Sequence, residues 1–146
     1  MRVYVGSDHA GFEFKQAIVP HLVAEGYDVV DVGTDSPGSV DYPDYAAKVA
    51  RAVRDGEAEL GVLVCGTGIG MAIAANKVHG VRAANVDNVE FARMARLHNN
   101  ANVVAVPGRG FIDLATAEEI VDTFLTTEFE GGRHQRRVEK MDEIGI

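Results

Sequence analysis

Short apolar, β-branched runs alternate along the chain with longer stretches whose apolar residues recur at helical spacing. Arg2–Val5 predicts a first strand and Gly11–Glu25 a helix. Pro20 falls inside that helix, where the missing N–H should kink or shorten it, and Gly26 supplies a stop. Tyr27–Val32 predicts a second strand, Gly33–Pro43 a loop by its Gly, Ser, Asp and Pro content, and Asp44–Arg54 a helix with Ala46, Val49, Ala50 and Val53 on one face. Leu60–Val64 is apolar throughout, as expected of a strand covered on both faces of a parallel sheet. A glycine-rich loop leads into a small-residue helix over Gly70–Lys77. Arg82–Val86 and Val103–Val106 read as strands, and Val89–Leu97, Leu114–Thr126 and Gln135–Glu143 as helices.

Repeated strand–helix alternation, without repeat or linker, predicts a parallel sheet with helices on both faces, in one domain spanning residues 1–146. In such sheets a site forms at the carboxyl ends of the strands, where strand order reverses. If strands one and three are neighbours, the loops Gly6–Gly11 and Cys65–Gly70 meet there, and these hold the most reactive side chains of the chain.

Composition narrows the partners. A domain of 146 residues buries about 70% of its unfolded surface and needs no disulfide or metal for stability. The sole cysteine excludes an intrachain disulfide, and the short apolar start is neither a signal peptide nor a membrane span; a cytoplasmic protein is expected. A net charge of −8 argues against nucleic acid or anionic membrane as partner. It leaves room for a small anion, because Arg133, His134, Arg136 and Arg137 cluster near the C-terminus. Metal binding has little support: the five histidines form no H-x-x-x-H pair.

The chemistry centres on Cys65-Gly66-Thr67-Gly68-Ile69-Gly70. Alternate glycines let backbone approach a ligand, and the following helix N-terminus favours an anion and a thiolate. By residue type alone, Cys65 is either an inert core residue or a nucleophile or base. A dinucleotide fingerprint fits poorly, since the third glycine of G-x-G-x-x-G would fall on Met71. In Ser7-Asp8-His9, Asp8 suits sugar hydroxyls and His9 a phosphate, while Ser7 or Asp8 also suits a helix cap. His98-Asn99 follows a helix and precedes a strand, which puts it at the amino edge of the sheet, away from its own subunit's site. A catalytic His98 would therefore serve a neighbouring subunit; otherwise it is a solvated helix end. Arg133 and Arg137, spaced i, i+4, suit one phosphate or pairing with Glu139 and Glu143.

Taken in order, Gly6-Ser7-Asp8-His9-Ala10-Gly11-Phe12, Asp41-Tyr42-Pro43, Cys65 through Gly70, Ala74-Ala75-Asn76-Lys77, His98-Asn99 and Gly131-Gly132-Arg133-His134-Gln135 resemble the type B ribose-5-phosphate isomerase family, which includes galactose-6-phosphate isomerase subunits. The resemblance runs nearly end to end. It implies a Rossmann-like, three-layer α/β/α sandwich with a five-stranded parallel sheet, and a homodimer, with a tetramer as the alternative, whose sites lie between subunits. It implies Cys65 as the base moving a proton between C1 and C2, with Thr67 in the catalytic set, and His98 as the residue that helps open the sugar ring. Asp8, His9, Tyr42, Gly66, Thr67, Gly68, Ile69, Gly70 and Asn99 match substrate contacts, and Arg109, Arg133 and Arg137 phosphate positions. A phosphorylated sugar is the implied substrate, and no cofactor or metal is expected. Another branch of the family carries a glutamate base farther along this loop, in a stretch that here includes Met71; with Cys65 present, the chain resembles the cysteine branch. Ribose 5-phosphate is the expected substrate. The alternatives are allose 6-phosphate, galactose 6-phosphate, a tetrose phosphate, or a noncatalytic sugar-phosphate sensor. A thiol redox protein would need a resolving cysteine, which is missing.

Overall fold

A computed structural model describes residues 1–145. Five parallel strands, β1 (Arg2–Ser7), β2 (Asp28–Asp31), β3 (Leu60–Cys65), β4 (Ala83–Asn85) and β5 (Val103–Pro107), form one sheet in the order β2-β1-β3-β5-β4. Six helices connect or follow them: α1 (Phe12–Ala24), α2 (Tyr42–Arg54), α3 (Ile69–Asn76), α4 (Val89–Leu97), α5 (Leu114–Thr126) and α6 (Arg133–Asp142). The strands and helices expected from periodicity are all present, most shifted by one or two residues at their ends. None of the helices among the described residues is long and apolar enough to cross a membrane.

Alternation along the central strands divides the interior into two cores. Leu60, Val62 and Val64 of β3 and Val104 and Val106 of β5 pack with Ile18 and Leu22 of α1 and Ile120 and Phe124 of α5. Leu63, Cys65, Val103 and Ala105 face the other way, onto Ala46, Val49 and Ala50 of α2 and Met71, Ala72 and Ala75 of α3. The result is a three-layer α/β/α sandwich. Helix α2 lies close on its layer: a Cβ on Gly61 would stand 2.5 Å from Val49 Cγ1, and one on Gly6 2.9 Å from Val49 Cγ2.

Two local expectations change. Pro20 does not shorten α1, which continues to Ala24. Pro20 and Gln16, whose carbonyl would have paired with a residue-20 N–H, are both exposed, so the break in the helical ladder falls on the solvent face rather than in the core. The chain then stops at Gly26 (φ +95°), with Tyr27 N–H donating to the Leu22 carbonyl at 3.2 Å. Helix α2 begins at Tyr42 rather than Asp44, because Pro43 occupies a first-turn position that needs no N–H partner.

Candidate active site

Strands β1 and β3 are neighbours, and their carboxyl ends lie where strand order reverses. The loops after β1, β3 and β5 converge there. Asp8 N–H donates to the Val64 carbonyl at 3.3 Å, and Gly108 N–H to the Cys65 carbonyl at 2.7 Å. A Cβ on Gly11 would come within 2.2 Å of the Val64 carbonyl oxygen, and one on Gly108 within 3.0 Å of Gly11 Cα, so hydrogen is the side chain both contacts tolerate.

Cys65 ends β3 and is 5% exposed on the α2–α3 side of the sheet. Its Sγ accepts a hydrogen bond from Gly68 N–H at 3.1 Å, at the N-terminus of α3, where unpaired N–H groups gather partial positive charge. Gly68 caps that helix at φ +84°. Thr67 is exposed, and its Oγ1 accepts from Ile69 N–H at 3.1 Å. Asn85, at the end of β4, donates from Nδ2 to the carbonyls of Thr67 and Ala105, both at 3.1 Å, and thereby ties the loop to the sheet. Sequence reasoning missed Asn85; its only signal was a polar residue closing a short apolar strand.

The other side chains of this rim are placed by the same loops. Asp8 is buried, and its Oδ1 accepts from Gly11 N–H at 3.0 Å, a turn-closing bond that leaves Oδ2 without a protein partner. His9 Nδ1 accepts from Val40 N–H at 3.2 Å, which assigns the proton of the neutral ring to Nε2 and leaves a donor for a ligand. The Tyr42 ring lies over Gly70, 2.7 Å from where a Cβ would stand, and Arg109 Cδ lies 3.8 Å from the corresponding point on Gly66. Beside Thr67 and Ile69 a cleft of about 450 Å³ is walled by Asn85, Asp87, Phe91 and Phe111. Donors, an acceptor and a sulfur at one helix N-terminus can hold an anionic, hydroxylated ligand and move a proton on it.

His98, Asn99, Arg133 and Arg137 are not at this rim. His98 caps the C-terminus of α4 and Asn99 follows it, while α6 carries the two arginines at the same amino edge of the sheet. The five residues of β5 separate the two edges by roughly 15 Å at ~3.3 Å per residue. There the rings of His98 and His134 stack, with centroids 4.3 Å apart and planes at 18°. Burial, then the charges of His98 and Arg133, push His134 below the ordinary histidine range, and its Nε2 is buried without a partner. Among the described residues, Arg109, Arg133 and Arg137 form no ion pair.

The likeness to known proteins covers the whole of this arrangement. Residues 3–141 match the family model described as Ribose/Galactose Isomerase. A ribose-5-phosphate isomerase B of Escherichia coli (strain K12) is 47% identical over 143 residues, covering 98% of this chain and 95% of that protein. The Clostridium thermocellum ribose-5-phosphate isomerase B structure superposes with a TM-score of 0.96 at 51% identity, over 99% of this chain and 97% of its own. The enzyme of Mycoplasma genitalium, with bound ribulose-5-phosphate, superposes at 0.91 with 44% identity, over 97% and 93% of the two chains. Agreement of fold and sequence over nearly the full length places this chain in the ribose/galactose isomerase family.

Proposed function

We propose that this chain interconverts ribose 5-phosphate and ribulose 5-phosphate, with Cys65 as the base, as a cytoplasmic step of the pentose phosphate pathway. The observation that carries the reading is the Cys65 sulfur at the N-terminus of α3, hydrogen-bonded by Gly68 N–H, on a strand end to which the loops after β1 and β5, carrying Asp8, His9 and Arg109, are tied by backbone hydrogen bonds. Arg109 and the His9 Nε2–H grip phosphate and hydroxyl oxygens and fix the register of the sugar. The Cys65 thiolate takes the proton from C2 of the open-chain aldose. The electron pair left behind forms the C1–C2 double bond of a cis-enediolate, and the negative charge moves to the carbonyl oxygen. The N–H groups of Gly66, Thr67 and Gly70, outside the bonds made by Gly68 and Ile69, and the Thr67 hydroxyl stabilise that oxygen. A proton then passes from the C2 hydroxyl to that oxygen, the C2–O bond becomes the new carbonyl as the C1–C2 double bond takes the proton back from Cys65 at C1, and the ketose results with no cofactor in the balance.

Ring opening needs an acid–base group besides the Cys65 thiolate. His98 suits the role, and it stands beside Asn99 and two unpaired arginines at the opposite edge of the sheet. The reading that reconciles these positions is a homodimer in which α6 packs on the partner subunit, so that the partner subunit's His98, Asn99, Arg133 and Arg137 complete each site. Exposed Ile69 and Ile73 on α3 and Met141 on α6 supply apolar surface for such packing.

Cys65→Ala tests the base. The substitution removes one buried sulfur and should leave the fold intact, while kcat for ribose 5-phosphate falls by about 10²–10⁴-fold. Retention of more than about a tenth of kcat would remove Cys65 from that role.

A further inference from the structure

On the opposite face of the sheet from Cys65, two i, i+4 pairs meet across the α1–α5 seam: His21 on α1 with Glu25 at its C-cap, and Glu118 with Asp122 on α5. His21 Nε2 lies 2.8 Å from Glu25 Oε1 and 3.0 Å from each Asp122 oxygen. On the other side of the ring, Nδ1 lies 3.1 Å from Glu118 Oε2. All four side chains are half-buried above Ile18, Leu22, Ile120 and Phe124.

We propose that His21, Glu25 and Asp122 bind a divalent transition ion, with Zn²⁺ the best fit, and that Glu118 orients His21 from behind. Imidazole nitrogen and carboxylate oxygen are both zinc donors, and three of them lie together here at the half-exposed seam, which leaves the fourth position to water. The Nε2–oxygen spacings of 2.8–3.0 Å are close to the ~3.3 Å edge of a tetrahedral shell with ~2.0 Å bonds, and all three donor atoms lie within 4.8 Å of one another, so small shifts admit the ion. A ligating histidine usually donates its second N–H to a carboxylate, the relation Glu118 has to Nδ1. The nitrogen donor also argues against Ca²⁺ or Mg²⁺, which take oxygen ligands. Burial opposes a charge on His21, but Asp122, Glu25 and Glu118 raise its pKa above the ordinary value; burial and Asp122 raise that of Glu25. His98, Glu130 and His134 also come together, but the stacked rings direct their lone pairs into separate, nearly parallel planes, which one ion cannot share.

The test uses the full chain stripped with a chelator. Calorimetric titration with Zn²⁺ should show one saturable site per chain, proton release that varies with buffer, and a raised Tm. His21→Gln and Asp122→Asn should each weaken binding by about tenfold or more, and Glu118→Gln by about 10–100-fold through loss of orientation. Co²⁺ in place of zinc should give a spectrum without thiolate charge transfer, because Cys65 lies in the other layer. A thiolate band, uptake without saturation, or unchanged affinity in whichever of His21→Gln and Asp122→Asn folds would overturn the site. Ribose 5-phosphate turnover by the chelated protein is a separate readout, so the isomerase reading fails or holds independently of this one.

Discussion

At Gly68 two constraints coincide that only a hydrogen side chain satisfies. The residue sits at φ +84°, and a Cβ there would stand 2.3 Å from Asn85 Nδ2 and 3.2 Å from the Ala105 carbonyl oxygen. The same residue donates to Cys65 Sγ, so strain at this point reaches the reacting group. Gly68→Ala should therefore destabilise by about 2–4 kcal/mol, the sum of left-handed backbone strain and overpacking, and should lower kcat as well. Gly80 is the control: it has a similar φ of +86° with open space around it. Gly80→Ala should cost only about 1 kcal/mol and leave turnover unchanged. Urea unfolding with a parallel activity assay separates the two; equal losses would mean that the contacts around Gly68 yield freely.

At the scale of elements, the α1–α5 seam carries a pH dependence whose sign follows from His21. Its folded pKa lies above the ordinary value because Asp122, Glu25 and Glu118 surround it and outweigh the burial that opposes charge. A raised pKa means that the folded state binds the proton more tightly. The stabilisation is complete below about pH 6.5 and is lost as pH rises through the folded value. Glu25, also raised, acts in the same direction. Solvent screening at this half-exposed seam limits the effect to about 1 kcal/mol, or about 3 °C in Tm. In metal-free protein, the Tm difference between the wild type and His21→Gln should be largest near pH 6 and shrink toward pH 9. A difference that grows with pH would reverse the assignment. The seam also shows how local propensity yields to packing: Pro20 stands one residue from His21, yet α1 continues, because the break in its ladder falls on the solvent face while Ile18 and Leu22 stay in the core.

At the scale of the whole molecule, the sheet separates the proposed catalytic groups. Cys65 ends a central strand at the carboxyl edge, and His98 precedes one at the amino edge. A site built from both requires two chains. Mixing Cys65→Ala with His98→Ala subunits should restore turnover, up to about a quarter of wild type if exchange is random and each heterodimer has one intact site of two. No recovery, despite exchange shown by mass-tagged subunits, would count against a shared site.

Much of this was legible in the chain itself. Apolar runs over Leu60–Val64 and Val103–Val106, set against helical periodicity elsewhere, determined a parallel sheet covered on both faces, because only burial on both sides favours uninterrupted β-branched sequence. The spacing of glycines around Cys65 marked the loop, because close backbone approach leaves no other residue type. Tertiary structure alone decided which loops meet. The order β2-β1-β3-β5-β4 brings the loops that carry Asp8, His9 and Arg109 to the end of β3, sets Tyr42 over Gly70, keeps His98 and the α6 arginines away, and recruits Asn85. Tertiary structure also assembled His21, Glu25, Glu118 and Asp122, which a search for paired histidines passes over because the donors lie about 100 residues apart. The physical reason is the same in both cases. Periodicity encodes which face of an element is buried, whereas side chains on different elements become neighbours only when the layers pack.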